Sequence, residues 1–341
     1  MGDNKKLTVL SLFDGIGGGM LALNRAGVEI DKYYASEVDK YAIQVAKGNF
    51  PEIIEVGDIA KLSYNKKTEE LITENGKIKI GKIDLLIGGS PCQGFTFAGK
   101  RQGATTKAKV EKTKDGETRV KEVKVEVLTL KDYLKLKKEG FIFNGQSYLF
   151  WEYVRLLKEI KPDYFLLENV KMEKKWKDVI TKTLKVKPTL INSNLVSAQN
   201  RQRLYWTNIN SGKIELPEDK EVVLKDIIIP EMDTKYPLSK VHFDAFMKSY
   251  PSWSSCDIDG KAKPLLATYY KQPPHCPYIK SNASTSGYRR LSPLECERLQ
   301  TLPDNYTLGL SDTQRYKTIG NGWTIDVVSH IFKYLNKKEE D

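Results

Sequence analysis

The sequence lacks the features that mark membrane-spanning, disulfide-rich and zinc-binding proteins. Among its 341 residues, no apolar run reaches about 18, the length that a membrane-spanning helix needs. The four cysteines (Cys92, Cys256, Cys276 and Cys296) form no CxxC pair, which argues against a zinc site and against a disulfide framework. The three histidines are scattered along the chain, and we assign them no role. We therefore expect neither a membrane anchor nor a bound metal.

Targeting signals are also lacking. The apolar stretch in MGDNKKLTVLSLFDG is too short for a signal peptide, and Asp14 ends it. Lys6 stands where an N-myristoylation signal needs Ser or Thr. These observations predict a cytoplasmic protein.

Positive charge is in excess. The chain has 55 Lys and Arg against 44 Asp and Glu, a net charge of +11. Such a surface attracts polyanions, and nucleic acid is the first of these to consider. A lysine-rich codon bias would produce the same excess, so the charge alone does not decide between the two.

The hydrophobic pattern predicts an α/β fold with a parallel sheet. Short apolar runs predict strands over 8–13, 32–36, 53–56, 83–87, 163–167, 190–197 and 204–208. Helical periodicity is found over 20–26, 39–49, 148–160, 292–300 and 324–335. Polar residues collect where the predicted strands end, which is where open α/β sheets bind their ligands.

Two segments interrupt this pattern. Residues 100–140 hold thirteen Lys and Arg against seven Asp and Glu, and Asp115-Gly116 within them predicts a β-hairpin. Residues 210–288 lose the α/β rhythm and collect Pro, Ser, Tyr and Trp. We interpret 210–288 as a smaller second domain, and 1–209 with 289–341 as the main one.

A glycine-rich turn follows the first predicted strand, in the sequence SLFDGIGGG (11–19). Glycines there let a ligand approach the backbone and leave helix-terminal amides free. Glu37 ends the second strand, where a carboxylate normally holds a ribose diol, and Asp58 follows the third, where it suits an exocyclic amine. The pattern favours a nucleoside cofactor over a purely structural turn, although dinucleotide dehydrogenases share its first two features.

Three further groups follow strands on the same predicted edge. Cys92 comes after Pro91 at the end of the fourth strand, in a polar, glycine-rich setting that favours a reactive thiolate over a buried thiol. Glu168 ends the fifth strand. It is either a candidate catalytic acid or a residue that only caps the N-terminus of a helix. Arg201 and Arg203 stand at alternate positions in an extended segment, so their side chains would share a face and could reach one target. The alternative is a charged run that is simply exposed to solvent.

With these blocks in view, the chain resembles the DNA cytosine-5 methyltransferases. The blocks occur in the family's usual order: FDGIGG (13–18), Glu37, Asp58, GSPCQGFTFAG (89–99), FLLENV (165–170), QNRQR (199–203), RRLSPLECERLQTLPDNY (289–306) and TIGNGW (318–323). Some blocks are similar to animal de novo-type enzymes and others to bacterial ones, a mixture that fits a phage or bacterial origin. The resemblance implies a Rossmann-like S-adenosylmethionine-dependent methyltransferase sheet with a second, smaller target-recognition domain.

The resemblance also implies catalytic roles. Cys92 would attack carbon 6 of cytosine, while Glu168 would protonate the ring so that carbon 5 accepts the methyl group of S-adenosylmethionine. Arg203, and Arg201 with it, would support the flipped base and the closing loop, and Asn169 belongs to the same catalytic block. Because carbon 6 cannot be reached inside a duplex, the base must be extruded.

On the cofactor side, the family places Phe13 on the adenine, Glu37 on the ribose, and Asp58 with Ile59 at the adenine edge. The remaining positions implied for the cofactor are Asp14, Gly15, Ile16, Gly17, Gly18, Val38, Pro91, Leu149, Asn321, Gly322 and Trp323.

The family resemblance does not explain the basic insert (100–140). The insert either contacts DNA or lies on the surface without a role in binding. Residues 210–288 occupy the position of the target-recognition domain. Double-stranded DNA is the expected partner of a monomeric enzyme. A tRNA cytosine-5 methyltransferase of the same fold is one alternative, although the size of 210–288 and the TFAG ending favour DNA. A non-catalytic nucleic-acid-binding homologue is another, and the intact Cys92, Glu168 and glycines argue against it.

Overall fold

The computed structural model describes residues 6–91, 104–112 and 118–336, without the side chains of 111–112 and 118–119. The strands are β1 (Leu7–Leu12), β2 (Ile30–Ser36), β3 (Ile54–Glu55), β4 (Ser63–Asn65), β5 (Glu70–Thr73), β6 (Gly76–Lys79), β7 (Leu85–Gly89), β8 (Thr106–Lys112), β9 (Thr118–Glu122), β10 (Phe141–Phe143), β11 (Tyr164–Val170), β12 (Thr189–Asn192), β13 (Gln202–Thr207), β14 (Tyr278–Lys280) and β15 (Tyr288–Arg290). The helices are α1 (Gly18–Ala26), α2 (Lys40–Asn49), α3 (Leu130–Lys138), α4 (Leu149–Ile160), α5 (Lys174–Leu184), α6 (Lys240–Ser249), α7 (Pro293–Leu299), α8 (Asp312–Asn321) and α9 (Ile325–Phe332).

Seven strands form the central sheet, in the order β12-β13-β11-β7-β1-β2-β3. All of its pairings are parallel except those of β13, which runs antiparallel to both of its neighbours, β11 and β12. The predicted α/β class is therefore confirmed. The reversal of β13 was not predicted, because an apolar run carries no information about strand direction.

The sheet is buried on both faces. Adjacent residues of β1 illustrate this, since Val9 belongs to one hydrophobic cluster and Leu10 to the other. The first cluster includes side chains of α1, α2 and α7–α9, and the second includes side chains of α4 and α5. Strands covered on both faces have continuous apolar sequences, which is why the sequence pattern located them.

The ends of most predicted strands shift by one to three residues, and one predicted strand is much shorter in the structure. The strand predicted over 190–197 ends at Asn192, whose side chain accepts a hydrogen bond from the Asn194 amide (3.3 Å) and starts a 3-10 turn. The strands on either side of the predicted Asp115-Gly116 turn pair antiparallel, with Lys112 opposite Thr118, and residues 113–117 lie outside the described residues. This pair continues into a three-stranded sheet with β10, and α3 follows β9.

Residues 210–288 share the first hydrophobic cluster with α1 and the sheet. Leu224, Phe246 and Leu265 are buried in it together with Leu23 and Val9. Aromatic rings fill the interior of the segment, in tilted and edge-on contacts among Phe243, Phe246, Trp253, Tyr278 and Tyr288.

Main-chain groups of this segment join it to the sheet. Arg201 donates to the Leu265 carbonyl (2.7 Å), and the Leu265 amide donates to the Gln199 side chain (3.2 Å). The Ala262 amide donates to the Ala198 carbonyl (2.6 Å). On the side of residues 210–288, each of these bonds uses the backbone.

Within the described part of the chain, no helix combines the length and apolarity needed to cross a bilayer.

Candidate active site

The strand register brings the predicted motifs to one edge of the sheet. Leu12 lies beside Ser36 on β2 and beside Gly88 on β7, while Gly89 lies beside Glu168 on β11. The segments that follow these residues therefore emerge side by side at the carboxyl ends of parallel strands. Ligands of open α/β sheets bind at such edges.

The glycine turn after β1 is tightly folded. Phe13 has a φ of +58°, a left-handed conformation that is strained for a bulky residue. A Cβ on Gly19 would lie 2.5 Å from Ile87 Cδ1, so a larger residue here would force the Ile87 side chain to shift. Ile16 is buried, and its carbonyl accepts a hydrogen bond from the Tyr306 hydroxyl (2.7 Å). Gly15 lies between Phe13 and Ile16, and Gly17 and Gly18 lie between Ile16 and Gly19, where α1 begins.

Glu37 sits at the end of β2, with its carboxylate turned toward this turn. Its Oε2 accepts a hydrogen bond from the Gly15 amide (2.9 Å), and its Oε1 accepts from the Val38 (2.7 Å) and Asp39 (2.9 Å) amides. These three bonds fix the carboxylate, and Oε2, which accepts only one of them, keeps capacity for a further donor. Glu37 therefore links the glycine turn to the start of α2.

Asp14 and Glu55 form an acidic group behind Glu37. Asp14 Oδ1 accepts a hydrogen bond from the Tyr33 hydroxyl (2.6 Å), whereas its buried Oδ2 accepts none within the described residues. Both buried carboxylate oxygens of Glu55 are likewise unbonded within the described residues. Burial raises the pKa of Asp14 to about 6, and burial, with the neighbouring charges of Asp14 and Glu37, raises that of Glu55 to about 7. The group suits a cationic ligand.

The raised pKa of Glu55 predicts how its neutral replacement behaves with pH. A carboxyl with a raised folded-state pKa stabilises the fold below its unfolded pKa, and this stability is lost as pH rises through the folded value. We expect Glu55→Gln to melt at the wild-type temperature near pH 4, where both side chains are neutral. Near pH 8, Glu55→Gln should melt at a higher temperature than wild type, as measured by calorimetry. A difference in melting temperature between Glu55→Gln and wild type that stays constant from pH 4 to pH 8 would contradict the prediction.

Asp58 and Ile59 form the next loop along the edge. The Asp58 side chain accepts a hydrogen bond from the Ala60 amide (2.9 Å), and Ile59 is buried. Arg155 of α4 holds the turn from below, because its guanidinium donates to the Leu62 (2.7 Å) and Ile59 (3.3 Å) carbonyls. Glu152 in turn accepts from Arg155 Nε (2.7 Å).

Glu168 lies at the other end of this edge. Arg203 Nε is 2.9 Å from its Oε1, and the Trp323 indole N–H donates to its Oε2 (3.3 Å). A Cβ on Gly89 would lie 2.8 Å from Glu168 Oε2 and 2.9 Å from Trp323 Nε1, so the chain leading to Pro91 runs against this carboxylate. The residue is 9% exposed. Its carboxylate is thus oriented and partly shielded from water.

Asn169 positions the segment after β7. Its side-chain amide donates to the Ser90 carbonyl (3.2 Å) and Ser90 hydroxyl (3.0 Å). Pro91, partly buried, is the last described residue before a gap. Cys92 lies outside the described residues, and so do residues 93–103. The structure therefore places Pro91, which precedes Cys92, and its neighbours Glu168 and Asn169, and not the Cys92 thiol.

Arg201 and Arg203 have different partners. Whereas Arg203 approaches Glu168, Arg201 is buried and donates to the Leu265 (2.7 Å), Gly320 (3.1 Å) and Gly322 (3.1 Å) carbonyls. Arg201 instead holds the backbone beside Trp323.

The remaining predicted cofactor residues surround the same edge. Val38 is exposed after Glu37, Leu149 begins α4, and Asn321 is exposed at the end of α8. Gly322 follows and leads into the partly buried Trp323.

Three features of the site were not predicted. They are the Trp323–Glu168 hydrogen bond, the Tyr33–Asp14 bond and the Arg155 support of residues 59–62. A fourth feature, the buried Glu55, was not predicted either, although it had a sequence signal as an acid in an apolar strand that ends at this edge. The three remaining free cysteines are buried, and burial raises the pKa of Cys276 to about 12, which keeps it a thiol.

Comparison with known families decides the identity. The C-5 cytosine-specific DNA methylase family matches residues 7–114 and 137–337. The chain belongs to this family. The DNA methylase is thus a DNA cytosine-5 methyltransferase, an enzyme of an S-adenosylmethionine-dependent family, as the resemblance predicted. The match omits residues 115–136, inside the basic insert.

Named relatives of the DNA methylase come from bacteria and phages. It is 26% identical over 355 aligned positions to the type II methyltransferase M1.ScrFI of Lactococcus lactis subsp. cremoris, covering 96% of this chain and 77% of that one. Identity to the type II methyltransferase M.HhaI of Haemophilus parahaemolyticus is also 26%, with 95% and 93% covered. The orphan methyltransferase M.Rho11sI of Bacillus phage rho11s is 30% identical over 75% of this chain and 42% of that one.

Solved structures share the fold of the DNA methylase. The S. pombe Dnmt2 methyltransferase superposes with a TM-score of 0.64 at 16% identity, over 97% of this chain and 98% of that one. A DNMT2 variant from Spodoptera frugiperda gives 0.66 at 17% identity, with coverage of 97% and 100%. These similarities establish the common architecture.

The position of Glu37 in the DNA methylase predicts the effect of its removal. We expect Glu37→Ala to weaken S-adenosylmethionine binding by about 1–3 kcal/mol, the cost of leaving a buried polar partner unpaired. Isothermal titration calorimetry measures this. Asp39→Ala is the matched control, since it removes a nearby carboxylate that caps α2 and pairs with Lys317 (2.6 Å). Equal affinities of Glu37→Ala and Asp39→Ala would remove Glu37 from the site.

Proposed function

We propose that the protein methylates carbon 5 of a cytosine flipped out of duplex DNA, with Cys92 as nucleophile and Glu168 as acid. The observation that carries this proposal is the Glu168 carboxylate, held by Arg203 and Trp323 beside the segment that leads into Cys92. A thiolate adds poorly to an aromatic ring unless an acid receives the developing charge. The nucleophile and the acid therefore need to be neighbours, and β7 and β11 are paired strands.

The proposed reaction begins when the Cys92 thiolate forms a bond to carbon 6 of the cytosine. Glu168 gives its proton to ring nitrogen 3, so that the electrons displaced from the ring make carbon 5 nucleophilic. Carbon 5 would then take the methyl group from the sulfonium of S-adenosylmethionine, and S-adenosylhomocysteine would be the second product. Loss of the proton at carbon 5, breakage of the sulfur–carbon bond and return of the nitrogen 3 proton to Glu168 restore the aromatic base and the thiolate.

S-adenosylmethionine supplies the methyl group. The edge residues Phe13, Glu37, Asp58 and Ile59 would hold its adenosine, in agreement with the nucleoside pattern at the ends of β1–β3. Its sulfonium and ammonium charges fit the acidic surroundings, where Asp14 Oδ2 is buried without a described hydrogen-bond donor. The remaining predicted cofactor residues, from Gly15 to Trp323, line the same edge.

Other residues orient the reacting groups. Asn169 fixes Ser90, two residues before Cys92, through two hydrogen bonds, and Arg203 orients Glu168. Arg201 acts at a distance, by holding the backbone that carries Trp323. Residues 210–288 would read the target sequence, because they form the one large addition to the sheet outside the basic insert.

Methyl transfer to matched substrates tests the proposal. Tritiated S-adenosylmethionine is incubated with the protein and either duplex DNA, the same strands separated, or tRNA. We expect label in duplex DNA, and bisulfite sequencing should place it on cytosines within one sequence context. Label confined to tRNA would instead identify a tRNA methyltransferase, and binding without label in any substrate would identify a non-catalytic homologue.

A further inference from the structure

The basic insert spans the edge of the sheet that carries the site. At one end, Glu126 forms an ion pair with Lys175 (2.5 Å), near the start of α5 and shortly after Glu168. At the other end, Lys137 of α3 lies 3.5 Å from the carbonyl of Ala60, in the turn after Asp58. The insert thus extends from beside β11 to beside the predicted adenine loop.

The insert is anchored to the core. Ala104 and Val127 are 1% and 0% exposed, and the Val127 amide donates to the Ala104 carbonyl (2.8 Å). Tyr133 of α3 is buried, and its hydroxyl donates to the buried Glu152, which also pairs with Lys137. Charges on the insert are therefore held at a fixed place relative to Glu168.

Three lysines of the insert lie on the same face of the β8–β9 pair. Lys109 on β8 stands directly opposite Lys121 on β9, and Lys107 lies two residues before Lys109 on the same side of the sheet. Like charges directly opposite across a sheet are destabilising, unless an anion lies between or above them. Lys124 follows β9 and is exposed, as are Lys107 and Lys121.

Three of these lysines have no ion-pair partner in the part of the chain that the structure describes: Lys107, Lys121 and Lys124. Many other surface lysines do, including Lys61 with Glu74, Lys82 with Asp163 and Lys225 with Asp259. Residues 100–140 contribute a surplus of six positive charges to the net +11. More than half of the net positive charge therefore lies in the segment beside the catalytic edge.

We propose that Lys107, Lys121 and Lys124 bind phosphates of the DNA backbone next to the target cytosine, so that the insert is a second DNA-binding surface. The inference rests on the proposed function, since it takes DNA as the substrate at this edge. Because phosphate contacts carry no sequence information, this surface sets affinity and leaves the choice of target to other residues.

Two triple variants of the full-length protein test the inference. The first replaces Lys107, Lys121 and Lys124 with Gln. The matched control replaces Lys32, Lys161 and Lys187 with Gln, three exposed lysines at the amino ends of β2, β11 and β12, on the opposite edge of the sheet. Both variants lose three charges, so a general effect of net charge appears equally in each.

Binding to a fluorescent duplex is measured from low to high salt. Each phosphate contact contributes about 0.9 to the slope of log K against log salt, so the insert variant should lose about two to three from its slope and at least about tenfold in affinity at low salt. Specific and non-specific duplexes should be affected alike. At saturating DNA, turnover, S-adenosylmethionine affinity and the methylated sequence should equal those of wild type.

Equal slopes for the two variants would overturn the inference, and a change in the methylated sequence would do the same, because phosphate contacts cannot read bases. Failure of the proposed function is distinct from both outcomes. It would appear as a wild-type protein that transfers no methyl group to DNA, whatever the binding slopes of the two variants.

Discussion

Replacing Cys92 with Ser is expected to abolish methyl transfer while S-adenosylmethionine still binds. A serine hydroxyl is a far weaker nucleophile than a thiolate at neutral pH, so the bond to carbon 6 does not form. Tritium transfer to duplex DNA measures the reaction, and calorimetry measures cofactor binding. Turnover within about tenfold of wild type would be incompatible with a covalent role for Cys92.

Cys256→Ala is the matched control for this variant. Cys256 is a buried free cysteine in residues 210–288, and its sulfur accepts a hydrogen bond from the Lys263 amide at 3.5 Å. Its loss should leave turnover unchanged. A duplex with 5-fluorocytosine at the target gives a second readout, since fluorine cannot leave as the proton does. Wild type and Cys256→Ala should form a denaturation-stable complex with it, and Cys92→Ser should form none.

Glu168→Gln is expected to lower the methylation rate by about 10²–10⁴-fold, the usual contribution of a positioned acid. The amide keeps the shape of the side chain and can still meet Arg203 or Trp323, but it cannot transfer a proton to the ring. Affinity for S-adenosylmethionine should change little, so the effect falls on kcat under saturating cofactor. Single-turnover kinetics on duplex DNA separate this step from product release.

Asp163→Asn makes the same chemical change just before the other end of β11. Asp163 forms an ion pair with Lys82 (2.5 Å) near the amino end of that strand, away from the site. Its turnover should match wild type, because exposed ion pairs contribute little to stability. If Glu168→Gln and Asp163→Asn gave the same rate, Glu168 would not be the acid.

The residues that we predicted to lie at one edge of the sheet were predicted from local sequence patterns. Glu37 and Glu168 each end or follow an apolar run, and the parallel pairing of such runs brings their carboxyl ends together. Family membership then confirmed the reaction class. The hairpin at Asp115-Gly116 was equally local, because those two residue types suit a tight turn between strands.

Contacts between distant parts of the chain had no such signal. Trp323 meets Glu168 across 155 residues, and Arg201 reaches Gly322 across 121. Arginines at alternate positions suggested a common target, and their described partners are the Glu168 carboxylate for Arg203 and backbone carbonyls beside Trp323 for Arg201. The helices α3, α5, α6 and α8 also went unpredicted, since their polar and charged residues hide the apolar spacing.

The backbone bonds that attach residues 210–288 have an evolutionary consequence. Leu265 and Ala262 join the sheet through amide and carbonyl groups, which every non-proline residue possesses whatever its side chain. Mutations can therefore accumulate over the exposed surface of this segment without loosening its attachment to Arg201, Gln199 and Ala198. Because we propose that residues 210–288 read the target, this attachment would let the recognised sequence drift while the chemistry stays unchanged.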